Sequence, residues 1–231
     1  MGRGRGVVGS GRGKRFAIAA MMTAAVWWVP AAPAAVVDVA ANDGKAPLAD
    51  VVVSLHAPVA TSAPARAVMD QRDSTFLPVV LAVQAGTTVS FPNSDTVRHQ
   101  VYSFSPAKPF ELPLYEGTPL APVLFDRPGV VVVGCNIHDW MIGYIVVLDT
   151  PHFAKTDASG RLRIDLPAGR YRLQAWHSRG IGEPVSRVVD VPAEGLSETV
   201  SLALGPPPVS RRGSDRLRAL QERFRRLERD P

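Results

Sequence analysis

The apolar positions of this chain fall in short runs closed by Gly, Pro, Asn or Asp, which is the punctuation of β-strands rather than of helices. Residues 36–39 and 51–55 are two such runs, flanking the turn Asn42-Asp43-Gly44-Lys45, and they predict two strands of a meander. Residues 57–66 carry two prolines and several alanines and read as a linker. The pattern then resumes at 79–83, 87–91, 99–104, 130–134 and 144–148. Residues 130–133 are four valines in succession, the signature expected of a strand buried on both faces. Residues 105–122 hold five prolines and little alternation, which predicts a long surface connection.

A third section follows Thr150-Pro151. Residues 161–166 and 171–176 alternate about the turns Asp157-Ala158-Ser159-Gly160 and Pro167-Ala168-Gly169, and residues 185–191 and 198–204 complete the set. Strands of this length and spacing predict an all-β sandwich architecture. Beyond Gly205-Pro206-Pro207-Pro208, Leu217, Leu220, Phe224 and Leu227 share one helical face, with Ser214 placed to cap it. This basic tail is suited to weak contact with an anionic membrane or a protein; the competing reading is a solvated, partly frayed end.

Charge and compartment sharpen this outline. Residues 2–34 contain Arg3, Arg5, Arg12, Lys14 and Arg15 and no acid, then an apolar run over 16–29 and the small residues Ala32-Pro33-Ala34. That order is an export signal, with cleavage expected after Ala34 and an uncleaved anchor as the other reading. The formal net charge of +5 equals those five cations, so the remaining chain is close to neutral. No basic globular surface suggests nucleic acid. The periplasm is the expected compartment, and there a single cysteine cannot close an internal disulfide, so Cys135 needs another explanation.

That explanation lies in Gly134-Cys135-Asn136-Ile137-His138-Asp139-Trp140-Met141, expected as a loop between strands. Cys135, His138 and Met141 are spaced so that one tight loop can turn all three toward a centre, and His99, at the start of a strand after the turn Pro92-Asn93-Ser94-Asp95, is the candidate fourth ligand. Thiolate, two imidazoles and a thioether suit one copper ion cycling between Cu(I) and Cu(II); zinc more often finds another Cys, His or carboxylate in place of Met. His56, His152 and His177 have no comparable context, although His177 in Trp176-His177-Ser178 could be a surface feature. No Ser-His-Asp set, paired-carboxylate motif or phosphate loop marks a hydrolase or transferase, and no enzyme activity is expected.

These motifs carry a resemblance. Residues 66–150 resemble a cupredoxin of the amicyanin and plastocyanin type, with the C-x₂-H-x₂-M spacing of the short ligand loop. The segment 44–55, with Thr156-Asp157-Ala158-Ser159-Gly160 and Leu166-Pro167-Ala168-Gly169-Arg170-Tyr171, resembles the carboxypeptidase regulatory-like, or transthyretin-like, fold. The chain as a whole is similar to bacterial methylamine utilization proteins with a cupredoxin domain, notably in Phe91-Pro92-Asn93-Ser94-Asp95 and Gly143-Tyr144, although no residue here points to methylamine chemistry. The expected organisation is an export signal (1–34), a cupredoxin Greek-key β-sandwich (66–150) inserted in a second, immunoglobulin-like or transthyretin-like β-sandwich (35–57 and 151–204), and a proline-rich linker with a short helical tail (205–231). The alternative is that residues 36–56 add edge strands to the middle domain.

The resemblance implies one-electron transfer to a redox partner protein, with His138, rimmed by Ile137 and Trp140, as the electron port. Copper binding and delivery without a redox partner is the alternative, and a purely structural or ligand-binding module is a third. One departure stands out: Gln100 follows His99 where many cupredoxins place Asn.

Overall fold

The computed structural model describes residues 34–58, 64–119 and 121–207, together with Met1, Gly2, Gly4 and Gly6. The apolar run expected of an export signal and the expected tail helix lie outside the described residues. Among those described, every regular element is a strand. The first two are β1 (Ala34–Asn42) and β2 (Val52–His56). A central series follows: β3 (Ala65–Val68), β4 (Asp70–Arg72), β5 (Thr75–Leu77), β6 (Val80–Gln84), β7 (Thr87–Ser90), β8 (His99–Ser103), β9 (Phe110–Tyr115), β10 (Val123–Phe125), β11 (Gly129–Cys135) and β12 (His138–Leu148). The last are β13 (Phe153–Lys155), β14 (Arg161–Pro167), β15 (Gly169–Trp176), β16 (Val185–Val191) and β17 (Leu196–Ser201).

Two sandwiches share the chain. In one, a β14-β1-β17 sheet faces a β13-β2-β15-β16 sheet. Strict alternation in β14 turns Leu162, Ile164 and Leu166 into a core shared with Val37, Val39, Val53, Leu55 and Leu173, and leaves Arg161, Arg163 and Asp165 outside. Both neighbours of β1 and both neighbours of β2 come from residues beyond 150. In the other sandwich, a β6-β12-β11-β8-β9 sheet faces the β10-β7-β3 sheet, with the β4-β5 hairpin beside them. Phe76, Phe91 and Phe125 are closed to solvent in its core, and burying each such side chain contributes about 1.5–3 kcal/mol.

A third apolar cluster, built on Val52, Val80, Val146 and Leu148, joins the two sandwiches. It explains which runs are buried on both faces. In β12, Ile145 and Val147 enter the central core while Val146 and Leu148 enter the joining cluster. The valine run expected to be doubly buried is not: Val131 and Val133 point inward, but Val132 is 43 % exposed.

The path of residues 105–122 also differs from expectation. Instead of a structureless connection it forms β9, antiparallel to β8, with Val101 opposite Leu112 and Ser103 opposite Phe110. Pro113 is tolerated because β9 is an edge strand, where a missing N–H costs no ladder bond. The expected ligand loop is likewise a hairpin, with Asn136 and Ile137 alone between β11 and β12.

Candidate metal centre

The hairpin is irregular where the chemistry sits. β11 and β12 run in register from Gly129 opposite Val147 to Gly134 opposite Ile142, and then the register shifts so that Cys135 pairs with His138. Residues 139–141 are thereby left without partners in β11, a bulge of the kind that re-aims side chains at sheet ends. This is how Cys135 and His138 approach one another on strands. Gly134 leaves room at the entry for the Tyr102 ring across the β8–β11 pair, which a Cβ would approach to 3.1 Å.

His99 opens β8, which runs antiparallel to β11 with Tyr102 opposite Gly134, so that it begins beside the end of β11. Its ring is fully buried. Nδ1 of His99 and Nδ1 of His138 each lie 3.8 Å from Cys135 Sγ. The ligand atoms of the three residues all fall within 4.8 Å of one another. The two imidazoles are tilted, with ring centroids 5.0 Å apart. Met141 is buried at 1 % exposure on β12 and belongs to the same core as Cys135. His99, Cys135 and His138 are therefore gathered, and Met141 belongs to the same buried core as Cys135.

A contact not anticipated from the sequence decides the chemistry of His99. Its Nε2 lies 2.9 Å from Asp95 Oδ2. A carboxylate only accepts, so Nε2 carries the ring proton and Nδ1 presents a lone pair toward Cys135. Asp95 is itself held: Ser74 N–H donates to Oδ2 at 2.8 Å, Thr96 N–H donates to Oδ1 at 2.9 Å, and Asp95 N–H donates to Asn93 Oδ1 at 3.0 Å. The His99 bond foremost, then the Ser74 N–H, lowers the Asp95 carboxyl to about 2. Ser74 reaches it because Asp73 and Ser74 both adopt positive φ, 52° and 51°, in the β4–β5 turn, as a two-residue hairpin of the primed type demands.

The support continues outward. Asn93 Nδ2 donates to Val97 O at 2.9 Å and to Tyr115 O at 3.0 Å, fastening the ligand turn to β9. Tyr115 donates to Phe91 O at 2.6 Å and accepts from Gln71, and burial foremost pushes its hydroxyl up to about 12, so it remains a neutral donor. Asn93 and Asp95 were visible in the sequence as a turn, and no spacing rule marks a turn residue as a partner of a ligand. Gln100, in the position where Asn is common, donates to Glu111 Oε1 at 2.6 Å on the solvent side. The ring of His99 is held by Asp95 and not by the residue that follows it.

The donor set fits a soft-to-borderline transition metal. A buried thiol facing two imidazole nitrogens, one with its proton directed away, is an array of electron pairs with no cation of its own. Metal–nitrogen and metal–thiolate bonds of about 2.0 and 2.3 Å place N and S about 3.7 Å apart at 120° and about 3.5 Å apart at the tetrahedral angle. The observed 3.8 Å is within about 0.3 Å of both values, so all three atoms are placed to share one ion. His₂Cys in trigonal array is the copper geometry, with a weak axial thioether as its usual companion.

The remaining histidines lie elsewhere. His177 is buried rather than a surface feature, accepting Arg179 N–H at Nδ1 and closing a turn through its carbonyl to Gly180 N–H. His152 stacks edge-on with Tyr171, ring centroids 5.9 Å apart. His56 is taken up below.

No family model matches this chain. No curated protein matches it either. Among solved structures it is similar to a purple cupredoxin from Nitrosopumilus maritimus, at 25% identity over 35% of this chain and 98% of that one, with a TM-score of 0.32. It is similar to the reduced state of an amicyanin mutant at 21% identity over 41% of this chain and 98% of that one, TM-score 0.32. It is also similar to a copper-containing nitrite reductase from Thermus scotoductus SA-01 at 26% identity, covering 42% of this chain and 25% of the reductase, TM-score 0.35.

Proposed function

We propose that this chain is an exported type 1 copper protein that binds one ion through His99, Cys135, His138 and Met141 and passes single electrons to a protein partner in the periplasm. The observation that carries this reading is the convergence of two Nδ1 atoms on one thiol sulfur, each at 3.8 Å, with the buried imidazole fixed by Asp95. Copper held there supplies a one-electron couple. The residues supply the rest.

Cys135 and His99 sit on paired strands, and His99 is locked from behind, so the donor positions are preorganised and little motion accompanies a change of charge. His138 is half-buried while His99 is closed to solvent, which makes His138 the exit for an electron. Ile137, 53 % exposed, and Trp140, whose ring centroid lies 5.2 Å from that of His138, form an apolar rim on which a partner can dock. The basic and apolar order of residues 2–34 supports export.

Delivery of copper is the rival reading, and the two differ in what happens on reduction. Protein film voltammetry with the copper content measured before and after repeated cycling separates them. The expected result is a reversible one-electron wave with the metal retained; stoichiometric loss of copper on reduction in the presence of a chelator would contradict electron transfer and support delivery.

A further inference from the structure

The strand β12 that begins at His138 ends at Leu148, and the next residue reaches a second cluster of reactive groups. Ser54 Oγ lies 2.8 Å from His56 Nε2, and His56 Nδ1 lies 2.6 Å from Asp149 Oδ1. The Asp149 carboxylate can only accept, so Nδ1 carries the ring proton, Nε2 is the acceptor, and the Ser54 hydroxyl donates to it. Serine is thus polarised by an imidazole whose tautomer is set by a carboxylate. These are the roles, and the nitrogen assignments, of a nucleophile–base–orienter triad. No Ser-His-Asp set was expected from the sequence, because Asp149 stands 93 residues from His56.

The surroundings complete a site. Ser54, His56 and Asp149 line a cleft of about 260 Å³ between the two sandwiches, with Val52, Val146, Leu148 and Trp176 as apolar walls. β2 and β15 pair antiparallel across its floor, so that Val52 stands opposite Trp176, Ser54 opposite Gln174, and His56 opposite Arg172. Directly opposed residues share a face with Cβ atoms about 5 Å apart. Gln174 and Arg172 are therefore the cross-strand neighbours of Ser54 and His56. Both line the cleft. A side-chain amide and a guanidinium are donors suited to the negative charge that develops on a carbonyl oxygen under attack. The Val52–Trp176 row, one step further along, offers apolar space for an acyl group.

We propose that Ser54, His56 and Asp149 form a catalytic triad that hydrolyses small uncharged carboxylic esters, with Gln174 and Arg172 facing the oxyanion. Ser54 Oγ attacks the ester carbonyl and its proton passes to His56 Nε2; the tetrahedral adduct collapses, the C–O bond to the alcohol breaks, and His56 returns the proton to the departing oxygen. Water, deprotonated by His56, then cleaves the acyl-serine, releasing the acid and restoring the hydroxyl. The sum is ester plus water giving acid plus alcohol. Ser54 is 3 % exposed and the cleft is small, which limits the acyl group to a short one.

Val130, which lines the cleft, stands five residues before Cys135 on β11, roughly 17 Å away at about 3.3 Å per residue, so the cleft is separate from the thiol. The proposal is independent of copper. The full chain, metal-free and copper-loaded, is treated with a fluorophosphonate probe and digested for mass spectrometry, and its hydrolysis of p-nitrophenyl acetate is followed. The expected result is one adduct, on Ser54, in both metal states, with hydrolysis slowed about 10²–10⁴-fold by His56→Gln. Ser54→Ala should abolish labelling at an unchanged thermal midpoint, and Gln174→Ala should lower kcat more than it raises KM. Absence of an adduct on Ser54 in the unsubstituted protein, or hydrolysis that survives Ser54→Ala, would overturn the proposal; the first arm needs no variant to fold.

Discussion

Asp95 Oδ2 and His99 Nε2 are 2.9 Å apart, and this contact determines which nitrogen of a fully buried imidazole faces the only cysteine of the chain. The carboxylate takes the proton-bearing side, orients the ring and adds basicity to the nitrogen opposite. A buried histidine with no such partner could rotate or change tautomer, and the donor set would lose its definition.

Removing the carboxylate charge should therefore act on the metal rather than on the fold. Asp95→Asn is expected to weaken copper binding about 10–100-fold and to raise the reduction potential, because a neutral amide no longer favours the more highly charged ion. Competitive copper titration and voltammetry check both. An unchanged affinity and potential would mean that His99 is held by its packing alone.

The same contact gives a pH signature in the metal-free protein. The Asp95 carboxyl is held at about 2 against an ordinary value of 3.8, foremost by the His99 hydrogen bond. A depressed folded value means that the stabilising contribution is complete above the unfolded value and is lost as pH falls through the folded one. Urea unfolding of metal-free protein and Asp95→Asn should differ by a constant amount above about pH 5 and converge between about pH 4 and 2. A difference independent of pH throughout that window would contradict the assignment.

Met141 is buried in the core that contains Cys135, on a strand whose bulge frees residues 139–141 from pairing. Met141→Leu keeps the volume and removes the thioether. Copper should stay bound and its potential should rise, since a weak donor that modestly favours Cu(II) is gone. Complete loss of copper would make Met141 a principal ligand, as in a Cu(I) carrier.

Gly143 tests the packing behind the hairpin. A Cβ there would lie 3.0 Å from Phe76 Cβ and from Val133 Cγ2, both on fully buried residues. Gly143→Ala should destabilise the protein by about 1–3 kcal/mol, the usual cost of overpacking a closed core. Chemical denaturation measures it, and a loss below about 0.5 kcal/mol would show that β12 shifts freely.

The sequence revealed the strands wherever burial was one-sided. In β14, alternating Leu, Ile and Leu against Arg, Arg and Asp reads directly as a face. It misled where partners were non-local. Val132 looked like its neighbours and is exposed, because only the joining cluster decides which faces are covered, and that cluster lies over β12 and β6 instead of β11. β9 was hidden by Pro113 and the prolines flanking it, which signal a loop unless the strand is known to be an edge. The grouping of Cys135 with His138 follows from their spacing and that of His99 from its place at a strand start, while for Met141 the structure shows burial in the same core as Cys135. Asp95 was not, since its role arises from a β4–β5 turn and a β8 terminus brought together by folding. The Ser54–His56–Asp149 set was missed for the same reason.

The most direct test of the metal centre is to add one equivalent of Cu(II) to the metal-free protein and to Cys135→Ser, recording visible absorption and electron paramagnetic resonance. A thiolate bonded to Cu(II) in a trigonal His₂Cys site produces an intense visible charge-transfer band and a small copper hyperfine splitting, and the unsubstituted protein should show both. Cys135→Ser should lose the band entirely, since a serine hydroxyl is a harder and far less acidic ligand than a thiol. A colourless complex with the large hyperfine splitting of tetragonal Cu(II), or a visible band that survives in Cys135→Ser, would contradict the assignment of His99, Cys135 and His138 as a type 1 copper site.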